Sequence, residues 1–289
     1  MKPNKALNWI IPLIFLLALI ATLAGLWPGE GQPIPLTNFR GEQVTINARG
    51  LYYWDTVSSA AQMQANDLVT LVIGLPLLAI SFWLTLTGSL RGRLLLTGTL
   101  GCTLYIYMSM CFGTAYNNLF LVYVAIFSLS LYAFILSMMS FDLSTFAGHI
   151  SEKLPRWGIA GLLLFAAGFL SLAWLGRILP TIFQDQIPVL ENVTSMFIQA
   201  MDLGLIVPLC VLSSVLLLRR SAWGYLLASV SMMKFLTLGL AVSVMALNMA
   251  RVGVPVGIAE LSIFPIITII NVVMVVVLLR NIGPDAKIG

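Results

Sequence analysis

The sequence predicts an all-α fold, a polytopic transmembrane helix bundle of eight spans with both termini cytoplasmic, and three observations lead there. Hydrophobic residues make up 60% of the 289-residue chain and charged residues only 9%, with a mean hydropathy of +0.99. A soluble domain carries roughly 25% charged residues, so this chain could not cover a water-exposed surface. Uncharged runs of the ~20 residues needed to cross ~30 Å of hydrocarbon recur along it, and lysine and arginine collect in alternate connections. The same numbers exclude a soluble enzyme, a disordered chain and a nucleic-acid binder, because the net charge of +4 is spread without a long basic run.

The first span, residues 6–27, follows Met1-Lys2-Pro3-Asn4-Lys5. Its apolar part exceeds the ~7–15 residues of a secretory leader, so it reads as a retained helix. Residues 28–66 form an extracytoplasmic cap. Within it Phe39-Arg40-Gly41-Glu42 has turn chemistry and Gln43 to Ile46 alternates with period two, which predicts a short hairpin. Leu51-Tyr52-Tyr53-Trp54 reads as an interfacial anchor, and Thr56 to Asn66 as a short helix lying on the membrane or leading into the next span. That span, 67–90, stops at Arg91-Gly92-Arg93.

Residues 94–141 carry no charge and suit two helices, 94–116 and 119–141, joined at Tyr116-Asn117-Asn118. A loop with His149, Glu152, Lys153 and Pro155 leads to the fifth span, 157–183. The sixth, 202–218, closes at Arg219-Arg220, and 224–250 and 256–279 complete the set. Placing the N-terminus inside puts Lys2, Lys5, Arg91, Arg93, Lys153, Arg156, Arg219, Arg220, Arg280 and Lys287 on the cytoplasmic side. Arg40, Arg49, Arg177 and Arg251 are then outside, and Lys234 lies within a span. Trp157 and Trp223 fall at the inner interface.

Several chemistries are not encoded. Cys102, Cys111 and Cys210 sit in apolar runs as small hydrophobes, and the single histidine, His149, cannot build a haem or histidine metal centre. Zinc-hydrolase, CxxC and nucleotide-binding patterns are lacking. No cofactor or metal is expected.

Two segments resemble each other. Gln64-Ala65-Asn66-Asp67-Leu68 enters the second span and Gln199-Ala200-Met201-Asp202-Leu203 the sixth. Each is followed by a proline, Pro76 or Pro208, and each helix ends at paired arginines. With four spans between them, the halves would share one orientation, a 4+4 parallel repeat about an axis along the membrane normal. Coincidence is the competing reading, since Pro76 lies a turn further from Asp67 than Pro208 from Asp202. An acid opening a helix is also favoured by the macrodipole, so Asp67 and Asp202 read either as helix-start acids or as ligand groups.

Lys234 is the most informative residue. It lies near the bilayer centre, where a lysine costs ~2.5–3.5 kcal/mol on insertion scales, and so should face the interior with a partner. Glu260, on the adjacent antiparallel span across Gly253-Val254-Pro255, is the expected one. Ser231, Lys234 and Thr237 share a helix face with Asn248 close by, as do Glu260, Thr268 and Asn271 on the last span. The serines and threonines also fit plain helix packing. A retinal Schiff base is a poor fit, because the third span has no carboxylate counter-ion.

The run from Asp202-Leu203-Gly204-Leu205-Ile206-Val207-Pro208-Leu209 to Arg219-Arg220-Ser221-Ala222-Trp223-Gly224-Tyr225 resembles uncharacterised multi-span bacterial membrane proteins. That resemblance implies a bacterial cytoplasmic (inner) membrane and carries no activity. The first functional expectation is binding or transport of a small polar or cationic molecule in one outward-facing polar vestibule, lined by Asp67, Asp202, Lys234 and Glu260 with Gln64, Gln199 and Asn271. The second is a non-catalytic accessory or sensor subunit that holds another membrane protein by its outer cap. A lipid-modifying enzyme ranks last, since no nucleophile–base pair supports one. The lipid bilayer is the partner common to all three.

Overall fold

The computed structural model describes residues 5–184 and 188–283, and of residues 259 and 260 the backbone alone. Among these residues, eight helices are long and apolar enough to cross a membrane. They are α1 Leu7–Leu26, α2 Val57–Leu86, α3 Leu90–Gly113, α4 Phe120–Met139, α5 Arg156–Phe183, α6 Phe197–Leu218, α7 Ala222–Arg251 and α8 Ile258–Arg280. Large apolar side chains such as Leu16, Ile80, Leu172 and Ile269 are exposed on their outer faces, the surface lipid would cover.

The one sheet among the described residues is the expected hairpin. Strands β1 (Ile34–Thr37) and β2 (Gln43–Ile46) pair antiparallel, Ile34 opposite Ile46. Asn38 Oδ1 accepts from the backbone N–H groups of Arg40 and Glu42, and Gly41 supplies the left-handed residue (φ 81°) the turn needs.

The second helix starts ten residues before the expected boundary. Thr56 caps it, its hydroxyl accepting from Ser59 N at 3.1 Å, and residues 57–66 run straight into the span. Of the two readings of this segment, the helix leading into the span holds: Ala60, Ala61 and Ala65 are buried, and such small residues let helices approach closely. The sixth helix likewise begins at Phe197, ahead of Asp202. Asp67 and Asp202 therefore sit inside helices, and the helix-start reading of both acids is corrected.

Helices α2 and α6 share an interruption. Each widens into a π-helical turn, Thr70–Gly74 or Asp202–Ile206, and then resumes as Leu75–Leu86 or Val207–Leu218 with proline in its first turn. A proline ring clashes with the carbonyl four residues back and donates no N–H. Widening the preceding turn relieves the clash and re-routes the bond, so that Leu75 N and Val207 N reach Thr70 O and Asp202 O. Both helices end at a left-handed residue, Gly88 (φ 87°) or Arg220 (φ 57°). Ser89 and Ser221 then precede the next helices.

At the corners that follow, Gly92 lies against Leu84 and Gly224 against the backbone of Leu216 and Leu217. A Cβ at Gly224 would meet that backbone, which cannot give way. Gly224→Ala is expected to cost about 2–3 kcal/mol, read as a lower melting temperature in detergent. Gly161→Ala, with nothing within 4 Å of the added carbon, should leave it unchanged or slightly raised.

The core divides along the chain. One cluster joins α1 to α4 with Tyr52, and the other joins α5 to α8 with Leu90, Leu94 and Tyr105 of α3. Helices α3 and α7 are the most buried and cross at Gly98, which lies against Met233 and Val230.

Candidate functional site

Asp202 opens the wide turn of α6 and is buried. Both of its oxygens are held by other helices. Tyr105 of α3 donates its hydroxyl to Oδ1 at 2.6 Å, and Trp174 of α5 donates Nε1–H to Oδ2 at 2.9 Å. Lys234 of α7, only 6% exposed, places Nζ 4.1 Å from the centroid of the Tyr105 ring and 5.4 Å from that of Phe235. Among the described residues its ammonium has no hydrogen-bond partner. Asp202, Cys102 and Cys210 are within its electrostatic range. The arrangement is a short relay: a cation on a ring face, the hydroxyl of that ring, and a carboxylate beyond. A cation over the π face draws electron density toward itself and makes the phenol a stronger donor to the carboxylate.

Asp67 forms a separate site. It is buried, and its Oδ2 accepts from Tyr52 at 2.5 Å, close to Tyr107 and Tyr123. Gly25 of α1 leaves the room, since a Cβ there would fall on the Asp67 carboxylate. Burial and the adjacent carboxylate push the Tyr52 phenol well above its usual range, so it stays a donor. Tyr52 is thus no interfacial anchor, whereas Tyr53 and Trp54 are exposed.

The expected polar residues are therefore divided between sites. Asp202 and Lys234 come together, and Asp67 has partners of its own. Gln64 is half-buried and Gln199 buried. Asn271 is buried on α8, its Nδ2 donating to Met232 O at 3.0 Å and its Oδ1 unpartnered among the described residues. Asn248 donates its Nδ2–H to Ala61 O of α2 at 2.8 Å. The expected pairing of Lys234 with Glu260 falls on a side chain outside the described residues.

Two concavities among the described residues lie elsewhere. One, of about 330 Å³, is lined by His149, Ser151, Arg280 and Asn281. The other, of about 20 Å³, includes Thr70, Cys102 and Thr237 in its wall. Counted from Pro76 and Pro208, Thr70 and Asp202 hold the same position. Counted from Gly92 and Gly224, so do Cys102 and Lys234, and Tyr105 and Thr237. The small cavity has room for about one water. This spacing differs by one turn from that of the string match, which aligns Asp202 with Asp67.

Sequence reasoning took Tyr52 for an interfacial anchor and did not single out Trp174. A tyrosine or tryptophan in an apolar run looks like any large hydrophobe, and only a buried acid that needs donors signals its role.

The segment between α1 and α2 is tied to the loop between α5 and α6. Asn38 Nδ2 donates to Glu191 O at 2.7 Å, the Arg40 guanidinium to Glu191 O and Val193 O, and Leu190 N to Glu42 Oε1 at 3.2 Å. Thr56 donates to the Glu191 carboxylate, and Asn192 Nδ2 to Trp54 O at 3.2 Å. Below this latch, buried Asp55 accepts from Ser59 Oγ and from Ala115 N of the α3–α4 turn on one oxygen, while its other oxygen has no partner among the described residues. Burial raises its carboxyl from 3.8 to about 6.

A folded-state value above the unfolded one means that the stability contributed is complete below pH 3.8 and lost as pH rises to about 6. The loss is about 3 kcal/mol at 1.36 kcal/mol per pH unit. Asp55→Asn should remove this component, flattening the unfolding free energy over that window in a detergent titration.

Comparison with family models, curated proteins and solved structures returned no match to this chain.

Proposed function

We propose that this chain is a carrier of a small polar or cationic molecule in a bacterial cytoplasmic membrane, built from two four-helix halves of one orientation. In this reading the cargo is recognised at the Asp202–Tyr105–Lys234 group. The observation that carries it is the pair of proline-relieved π turns at matching positions in α2 and α6, one opening on a buried acid. Interrupted helices near the bilayer midplane, set in related halves, are a recurring way to build carrier sites, and π turns gather at functional positions. Intramembrane ions are costly, and their usual use is binding or relay.

The expected open vestibule has no counterpart around Asp202, whose oxygens are both occupied. With the cap latched across α5–α6, the arrangement fits the closed state of such a cycle. Cargo would displace Tyr105 or Trp174 from Asp202 after the latch is released.

The test is a thermal-shift panel of small organic cations, amino acids and polyamines on the detergent-solubilised protein. At least one compound should raise the melting temperature of the wild type by several degrees and fail to do so for Asp202→Asn. A second reading, an accessory subunit, draws on Phe39 and Trp54, which are exposed on the cap. A panel without any shift, together with a stoichiometric protein partner in mild detergent, would favour it.

A further inference from the structure

The site around Asp202 distinguishes between possible coupling ions. Its carboxylate already accepts one hydrogen bond on each oxygen. The groups near Lys234 Nζ are the rings of Tyr105 and Phe235, the thiols of Cys102 and Cys210, and the Asp202 carboxylate. A metal cation held through several oxygens would need ligands that these residues do not supply. A proton needs only one oxygen and a neighbour able to reverse its role.

We infer that Asp202 is a proton-exchange site, with Lys234 as its counter-charge across the Tyr105 ring, and that the proton is the ion coupled to the cycle. The coupling rests on the carrier reading; proton exchange at Asp202 does not. The incoming proton binds Oδ1. Trp174 can only donate and keeps Oδ2, whereas the Tyr105 hydroxyl turns its own hydrogen away and accepts the new O–H. Tyr105 neither gains nor loses a proton in this step, and the carboxylate goes from −1 to neutral. The ammonium opposite is then left without its counter-charge in the interior, a state that favours moving α7 against α3 and α6. Among the described residues, the titratable and charged groups facing Asp202 are Tyr105 from α3, Cys210 from α6 and Lys234 from α7, with Cys102 of α3 beside the lysine.

Trp174 reports the event directly, because its indole N–H bonds the oxygen next to the one that is protonated. The experiment is a pH titration of tryptophan emission in the full-length protein reconstituted in nanodiscs, with Trp174→Phe subtracted to isolate this residue among the seven tryptophans. A single step is expected in the difference signal. It should be lost in Asp202→Asn, be displaced in Lys234→Met, and stay in place when sodium replaces choline at fixed pH. Should Asp202→Asn fail to fold, Tyr105→Phe keeps the carboxylate and must move the step. The absence of a step, its persistence in Asp202→Asn, an unmoved step in Tyr105→Phe, or displacement by sodium would each overturn the inference. A clean proton step with no cargo-induced thermal shift would instead count against the carrier reading alone.

Discussion

Asp202→Ala is expected to lower the unfolding free energy by about 3–5 kcal/mol, the range for removing one partner of a buried ionic group. The substitution leaves the Tyr105 hydroxyl and the Trp174 indole N–H without an acceptor. Lys234 loses the carboxylate within its electrostatic range. Each stranded donor alone costs about 1–3 kcal/mol, and α6 would lose the Asp202 ties to α3 and α5 together, keeping the bond from Ser214 to Ala160 O. The check is chemical unfolding in mixed micelles. Asp202→Asn, which keeps an oxygen for one donor, should fall between alanine and wild type.

Lys234→Met should act in the opposite direction, raising stability by about 1–3 kcal/mol while abolishing any cargo response. The lysine is buried among rings and thiols, and its ammonium has no hydrogen-bond partner among the described residues. Removing one partner of a buried ion pair is ordinarily destabilising, but here Asp202 keeps a hydrogen bond on each oxygen, while losing the lysine removes a cation that hydrocarbon penalises by ~2.5–3.5 kcal/mol. Methionine matches the length and can set its sulfur against the Tyr105 ring. A residue whose removal strengthens the fold is retained for a task other than folding, and this asymmetry between Asp202 and Lys234 is how the two roles separate. The readouts are the melting temperature and the ligand-induced shift of the same sample.

The eight helices were legible because hydropathy is summed over ~20 residues, and such sums tolerate local exceptions. The start of α2 was legible as a helix over Thr56 to Asn66, but not whether it lay on the membrane or led into the span; its continuation rests on alanines packed against neighbouring helices. The ionisable outliers were equally legible: Asp67, Asp202 and Lys234 are all buried, as the cost of charge in hydrocarbon requires. Their partners were not, since Tyr52 is fifteen residues from Asp67 and Tyr105 is 97 from Asp202.

Gln64 to Leu68 and Gln199 to Leu203 look equivalent as strings, whereas the wide turns, prolines and corner glycines coincide at a spacing one turn different. A string match and a backbone match need not agree, because the wide turn goes where proline forces it. The two acids meet different tyrosines, Tyr52 and Tyr105.

A double-mutant cycle on Asp202→Asn and Lys234→Met, read by unfolding free energy in one detergent, tests most directly whether these residues form one centre. Groups acting on each other through the Tyr105 ring should show a coupling of about 1 kcal/mol or more, and Tyr105→Leu in the background of both should reduce it. Strictly additive effects would mean that the ammonium and the carboxylate are neighbours by packing alone, and the site built around them would not exist.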